Sequence, residues 1–479
     1  MNKSIIRYIL CKVVQFEGFF LLLPAVVALF YSEKEGFAYL GLGVVLIIAG
    51  IIGSAFKPAN KNFYAREGFV AVSLSWILLS LLGAIPYVLT GDIPNYIDAL
   101  FETVSGFTTT GASILSDVEK MSMTSMFWRC FTNWIGGMGV LVFIMAVLPL
   151  SGSHNMNLLK AESTGPEVGK LVPKVKSTAT ILYAIYLGLT IIQVICYLCA
   201  GEGIYDALVL SFSTMGTGGF ARYNASLGAY SMAVRTISLI FMILCGINFN
   251  AYFLILVRKF KELFKLEEVR MYLFILFAGA LVIFFSVRPL YASGDDAFFD
   301  SLFQITSIMT TTGFATADFD VWPMLPKMIL LCVMVIGGCA GSTSGGIKVS
   351  RVMLLRRNLH RELSYLAHPR SVKRVRMNGT SVSEDTLRSV NHFMVAYIVL
   401  LALSCLLVSI DNLDFTTTFT GVLSMLGNVG PGLAKVGPTG NYGVFSGFSK
   451  VILSVDMLAG RLEIYPMLML TYIGTWRKS

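Results

Sequence analysis

Charge is scarce in this chain. Only 14% of its 479 residues are Asp, Glu, Lys or Arg, against roughly 25% in a soluble domain. Hydrophobic residues make up 55%, and the mean hydropathy is +0.72. That composition excludes an ordinary water-soluble globule. Histidine is rarer still: the four, at positions 154, 360, 368 and 392, lack the spacing of zinc ligands. The eight cysteines outline no disulfide framework. Cys196 and Cys199 form a C-x-x-C, but within an apolar run and without the βαβ surroundings a redox motif needs, so they read as packing. There is no Walker A loop and no G-x-G-x-x-G after a strand, so no nucleotide site is expected on this chain. The apolar runs hold no cluster of carboxylates, histidines or nucleophiles, which argues against a membrane enzyme.

What is present is a succession of apolar runs of about 20 residues, long enough to cross a ~30 Å hydrocarbon core as helices. They are continuous rather than alternating, which favours helices over a barrel. Ten spans are expected: 13–32 and 38–56 as an uncleaved N-terminal hairpin, then 68–91, 124–149, 178–200, 230–257, 270–291, a broken span at 323–358, 390–410 and 446–475. The net charge of +9 does not imply nucleic acid, because the basic residues gather at alternate ends of these spans, from Lys3, Arg7 and Lys12 through Arg351–Arg376 to Arg477 and Lys478. That side is expected to be the cytoplasm, with both termini on it. The other side is acid-rich, with Glu33, Asp92, Glu102, Asp117, Asp206, Asp300 and Asp414 among its residues. An acidic mouth concentrates cations.

Between the later spans one phrase recurs four times. Ser105–Gly111 reads SGFTTTG, Ser213–Gly219 STMGTGG, Ser307–Gly313 SIMTTTG and Ser424–Gly430 SMLGNVG. In each, a Ser precedes a Gly by six positions. Asp98, Asp206 and Asp300 stand thirteen before that Gly, with Thr417 in the fourth copy. The stretches Ala99–Thr109, Ala207–Met215, Ser301–Met309 and Thr418–Leu426 are apolar but too short to cross, and read as pore helices. The Asp and Thr residues before them are expected as N-caps. Such helices would aim dipole-negative C-termini at the bilayer centre, which favours a cation there.

Irregular backbone at that depth is tolerated only where protein buries it or water meets it. Four such loops can surround one axis, and backbone carbonyls on one axis can replace an ion's hydration shell. The expected fold is therefore an all-α membrane protein. Four helix–pore-helix–loop–helix repeats, at 67–151, 152–266, 267–378 and 379–479, would surround a pore, with the hairpin at 1–66 beside them. The expected filter residues are Thr109, Thr110 and Gly111; Thr217, Gly218 and Gly219; Thr311, Thr312 and Gly313; Asn428, Val429 and Gly430.

Within the third inner span, Gly337–Gly346 reads GGCAGSTSGG and breaks the apolar pattern. Gly337, Gly338, Gly341, Ser342, Thr343, Ser344, Gly345 and Gly346 are expected to form a barrier below the filter. Arg461, inside the last span, needs partners at depth; the carbonyls of that break would serve, or Glu463. Lys348 either lies near the inner opening or snorkels to the interface. The basic segment Arg351–Arg376 suits anionic lipid or a soluble partner.

With these motifs stand Trp134–Gly139 (WIGGMG), Ala161–Pro173 (AESTGPEVGKLVP), Gly337–Lys348 (GGCAGSTSGGIK), His368–Gly379 (HPRSVKRVRMNG) and Gly460–Ile464 (GRLEI). In them the chain resembles the Trk/Ktr/HKT superfamily of cation-uptake proteins, and within it the TrkH-type potassium-uptake subunits, over nearly its whole length. The resemblance implies a potassium-selective pore in a bacterial inner membrane, with potassium held at the filter residues. It also implies an intramembrane gating loop at the Gly-rich break, a homodimer, and a cytosolic nucleotide-binding ring of the TrkA kind as partner. Some plant relatives that prefer sodium carry Ser in the first loop; Gly111 stands there in this chain. The competing expectation is an ion-coupled potassium symporter, driven by protons or sodium.

Overall fold

The computed structural model describes residues 1–56, 64–139, 175–370 and 373–476, with side chains from residue 180 in the third stretch. Ala161–Pro173, the basic positions Lys57, Lys61, Arg477 and Lys478, and the first inner span beyond Gly139 lie outside the described residues.

The chain opens on a helical hairpin, Lys3–Tyr31 and Gly36–Ala55, turned by Ser32 in the left-handed region. The first helix starts about ten residues before the expected span, capped by the Asn2 side chain. Small residues let the two helices approach: a β-carbon on Gly18 would lie 2.7 Å from the Gly43 carbonyl oxygen, and one on Gly50 2.7 Å from that of Cys11. Close approach through small residues is how helices pack without a hydrophobic drive between them.

Four repeats follow. The outer helices are Ala65–Gly83 with its continuation Ile85–Thr90, then Val175–Cys199, Glu267–Val287 and Glu384–Val408. Their lipid-side residues, such as Ile191, Ile195, Phe277 and Val399, are exposed, while Tyr186, Tyr197 and Tyr272 turn inwards and are buried. An apolar surface around a core that holds buried Thr, Ser and Gln is the polarity of a membrane protein. This is an all-α membrane protein; its β-structure among the described residues is a two-residue hairpin pairing Arg376 with Ser381 and Met377 with Thr380.

Each repeat then has a short helix: Tyr96–Phe107, Ile204–Met215, Gly294–Met309 and Phe415–Gly427. They begin earlier than expected, so the aspartates are not their caps. Asn95, Ser293 and Asp414 hold that role with their side chains, and Gly203 takes the N-cap place in the second. Asp98 and Asp206 fall in the first helical turn, Asp300 about two turns in, and Thr417 donates its backbone N–H to Asp414.

Of the ten expected spans one was expected to be broken; the inner helices extend that interruption to all four repeats. Among the described residues, six helices are by length and composition apolar enough to cross a membrane unbroken, or seven with one bent pair. All four inner helices stop part-way. The first ends at Met138 with Gly139 at φ +82°. The second, Met232–Cys245, turns by 90° into Phe249–Leu256. The third, Met324–Ile336, resumes as Val349–Ala367. The fourth, Gly447–Arg461, resumes as Tyr465–Thr471 after Glu463 and Ile464 at φ +59° and +66°. The first two stops have a sequence cause, Gly139 at a positive φ and the Asn248 side chain accepting from the Asn250 N–H. The fourth has no Gly or Pro at its turning residues.

Candidate ion pathway

Each short helix ends in the same backbone figure. The Ser carbonyl accepts from the N–H five residues on: Thr110 to Ser105 at 2.9 Å, Gly218 to Ser213 at 2.8 Å, Thr312 to Ser307 at 2.8 Å and Val429 to Ser424 at 3.0 Å. The residue before that donor is left-handed in every copy: Thr109, Thr217 and Thr311 at φ +55°, Asn428 at +54°. The Gly after it is positive too, at +78°, +68°, +83° and +99° for Gly111, Gly219, Gly313 and Gly430. A left-handed Thr costs roughly 1–2 kcal/mol, so three of them are evidence of a tightly specified loop.

The four loops close a ring in chain order. A β-carbon on Gly111 would land on the Gly218 carbonyl oxygen, and one on Gly219 on that of Thr312. On Gly313 it would lie 2.5 Å from Val429 O, and on Gly430 2.6 Å from Thr110 O. Each Gly thus lies against the residue before the next Gly, and the fourth returns to the first. All four line one vestibule of about 180 Å³, with Arg129, Asn224 and Asn441 on its walls. The oxygens met at each step of the ring are neutral backbone carbonyls, those of Gly218, Thr312, Val429 and Thr110. A weakly hydrated monovalent cation suits such a ring.

The loops differ in what braces them. Thr110 and Thr312 share 2.8 Å hydroxyl contacts with Thr108 and Thr310. Gly218 has no side chain there, and the Asn133 amide fills its place while donating to Ser213 Oγ at 3.3 Å. Asn428 Nδ2 donates to Thr110 Oγ1 at 3.0 Å and to Met457 O at 2.8 Å. Two of the aspartates expected as caps brace the segments that leave the ring, and Asp98 reaches the fourth inner helix. Asp206 takes Arg222 at 2.9 Å, Asp300 takes the Thr316 hydroxyl at 2.7 Å, and Asp98 takes Lys450 at 2.6 Å.

Glu102 is a further correction, since it is buried rather than part of an acidic surface. It accepts from Arg129 Nε at 2.6 Å and from Ile114 N at 3.0 Å, while Arg129 donates to Ala221 O at 3.2 Å and stacks 3.6 Å over Phe220. The pair therefore holds the exit strands of two repeats. Its signal was legible: Arg129 is the one charged residue in the first inner span, and an intramembrane charge marks a specific role by default.

Below the ring lies residue range 337–348. Ile347 N donates to Val335 O at 3.1 Å and Lys348 N to Ile336 O at 2.8 Å. Partners twelve apart in place of four mean that eight residues are looped out of one helix whose ladder is otherwise rejoined. Gly337, Gly341, Gly346 and Lys348 take φ of +73°, +69°, +76° and +83°. Ser342 closes the loop on Cys339 O at 2.7 Å, and Ser344 packs on Gly338. Gly345 N donates to Thr311 Oγ1 at 2.6 Å and Gly346 N to Gly427 O at 2.9 Å, so the loop touches the third and fourth copies of the Ser-to-Gly figure. Phe249 N donates to Gly341 O at 2.9 Å, which joins it to the bent second inner helix.

Arg461 donates to Thr343 O at 2.8 Å, to Gly137 O at 2.7 Å and to Gly136 O. It thus ties the last repeat to the loop and to the broken end of the first inner helix. Glu463 pairs with Arg351. Lys348 is 1% exposed and donates to Ser344 O, so it does not snorkel. Sequence reasoning missed Glu268, whose carboxylate accepts from Ala340 N at 2.7 Å inside the loop and from Ser350 N at 3.1 Å just past it.

Comparison with known proteins places this geometry in context. Residues 39–475 match the family model described as TrkH, cation transport protein. The Trk system potassium uptake protein TrkH of Vibrio parahaemolyticus is 36% identical over 469 residues, covering 95% of this chain and 96% of the relative. The TrkG protein of Escherichia coli K12 is 33% identical over the full length of both chains. The crystal structure of the potassium transporter TrkH from Vibrio parahaemolyticus superposes with a TM-score of 0.89 at 34% identity, over 99% of each chain.

Proposed function

This chain belongs to the TrkH family of cation transport proteins, and on that premise we propose that it conducts potassium into a bacterial cell through the four-loop ring, gated by residues 337–348. It is a transport protein and not an enzyme. The single observation that carries the reading is the ring itself, in which each filter Gly lies against the carbonyl of the residue that precedes the next. Such a ring presents carbonyl dipoles without a fixed charge, which holds a cation well enough to enter and loosely enough to leave. The names of the relatives supply potassium.

The gate follows from position. The loop donates to the third filter copy, and Arg461 donates to the loop's Thr343 carbonyl, which supports the reading. The regulatory partner is a cytosolic nucleotide-binding ring that engages the basic face, and the chain works as a homodimer in the inner membrane with both termini cytoplasmic.

Rubidium flux into liposomes holding the purified chain, under opposing potassium and sodium gradients, tests the core of this. Flux should follow the potassium gradient alone and reverse with it. Flux that stays tied to a proton or sodium gradient, whichever way potassium runs, would replace the pore with ion-coupled symport.

A further inference from the structure

We propose that the groove on the basic face between the third outer helix, the helix Val349–Ala367 and the segment 373–379 binds an anionic phospholipid of the cytoplasmic leaflet. The groove has a volume of about 1180 Å³. Its rim is cationic: Arg270, Arg356, Arg374 and Arg376 line it and have no carboxylate partner among the described residues. Its one carboxylate, Glu267, is already taken by Arg357 at 2.5 Å. A site with this surplus of guanidinium and no free acid selects a phosphate monoanion or diester.

The floor says which phosphate. Met271, Phe274 and Ile275 from one wall and Val352, Met353 and Leu363 from the other are apolar. Phe274 and Leu363 are more than half exposed. The Phe274 wall continues up the same helix as the exposed stripe of Phe277, Leu281 and Phe285. A headgroup phosphate at the rim therefore has an apolar path for its acyl chains along the helix surface. Free phosphate would use the rim alone. Basic pockets between helices on the cytoplasmic side are where anionic headgroups bind.

The place matters because the residue after Glu267 is Glu268, which holds Ala340 inside the looped-out segment and Ser350 just past it. A lipid in the groove would steady the helix end that carries this clamp.

Native mass spectrometry of the full chain, with phosphatidylglycerol or phosphatidylcholine added, reads the binding directly. Arg270→Gln/Arg356→Gln/Arg374→Gln should weaken phosphatidylglycerol retention on the order of a hundredfold and leave phosphatidylcholine unchanged. The control Arg258→Gln/Lys259→Gln/Lys261→Gln removes the same charge outside the groove and should leave retention intact. Inorganic phosphate should not compete at concentrations that match the lipid. If the triple variant fails to fold, Arg374→Gln alone, in the connection beyond the helices, carries the same comparison. Equal loss in both triples means a diffuse surface effect and overturns the site. Competition by phosphate makes it an anion site instead. Intact lipid retention with loss of the dimer or of ring binding makes it a protein interface, and also overturns the proposal.

Discussion

The upper and lower halves of the pathway obey different rules. In the ring, four loops of different sequence adopt one backbone, with a left-handed residue and a positive-φ Gly at equivalent places. Below it, all four inner helices break, yet no two breaks are built alike: a Gly stop, a 90° bend, a looped-out segment and a pair of left-handed residues. Closing a ring by equal steps demands identical geometry, because each loop is the wall of the next. The level beneath carries no such demand. It needs only one element that can obstruct the axis, and under the proposed gating that element is the loop of the third repeat. Symmetry therefore marks where four repeats must act together, and its loss marks where one acts alone.

The strongest way to break this contrast is to remove what keeps the ring regular. Arg129→Met would leave Glu102 buried without its cation partner, which costs about 3–5 kcal/mol. Thermal denaturation in detergent should show a large drop, and Glu102→Gln/Arg129→Met should recover part of it. A single mutant that melts with the wild type would mean that the ring holds its shape without the pair.

Next in size is Gly111→Ser. The position has φ +78° and its β-carbon would land on the Gly218 carbonyl oxygen, so two quadrants must shift. Strain of roughly 1–2 kcal/mol is on the order of tenfold in an ion equilibrium, and the potassium-to-sodium permeability ratio should fall by about that factor in bi-ionic reversal potentials. Gly91→Ser separates strain from place. It has φ +81° with nothing within 4 Å of the added carbon, and selectivity there should not change. Equal effects at both positions would take Gly111 out of the selective ring.

The same contrast explains what the sequence could and could not say. The ring was legible because a rule enforced four times leaves a four-fold phrase. The third break was legible because five Gly in ten residues cannot continue a helix. The fourth break falls on Glu463 and Ile464, ordinary residues at positive φ, and its one mark in the sequence is Pro466 in the first turn of the helix that resumes. The N-caps were misplaced because the aspartates' true partners, Arg222, Thr316 and Lys450, are distant in sequence or across the loop. Arg129 deserved the reading that Arg461 received, as an intramembrane cation with a fixed set of partners.

A third experiment sharpens the lower half. Because eight residues are looped out of the helical ladder, deleting 339–346 lets Ile347 and Lys348 find Val335 and Ile336 in ordinary helical spacing. Flux should rise about fivefold with selectivity kept. Deleting five residues, 341–345, would also raise flux but turn the helix face of Lys348 and Arg351, and should lower thermal stability more. Arg461→Ala releases Thr343, Gly136 and Gly137 together and should raise flux likewise. Lower flux in a well-folded Arg461→Ala protein would remove it from the gate.

The smallest effect belongs to the exposed braces at the ring's outer edge. Asp117 accepts from Asn224 Nδ2 at 2.8 Å, joining the exit strands of the first two repeats. That amide, and then Lys120, hold its carboxyl below the ordinary aspartate range. A depressed folded pKa gives stability that is present above the unfolded value of about 3.9 and is lost as pH falls through the lower folded value. Acidification below about pH 4 should therefore lower the wild-type melting temperature slightly more than that of Asp117→Asn, which keeps the geometry without the charge. The side chain is open to water, so the difference should be small and should shrink further in salt. An acid response as large as the loss from Arg129→Met would mean that exposed pairs fix the ring as firmly as the buried one does.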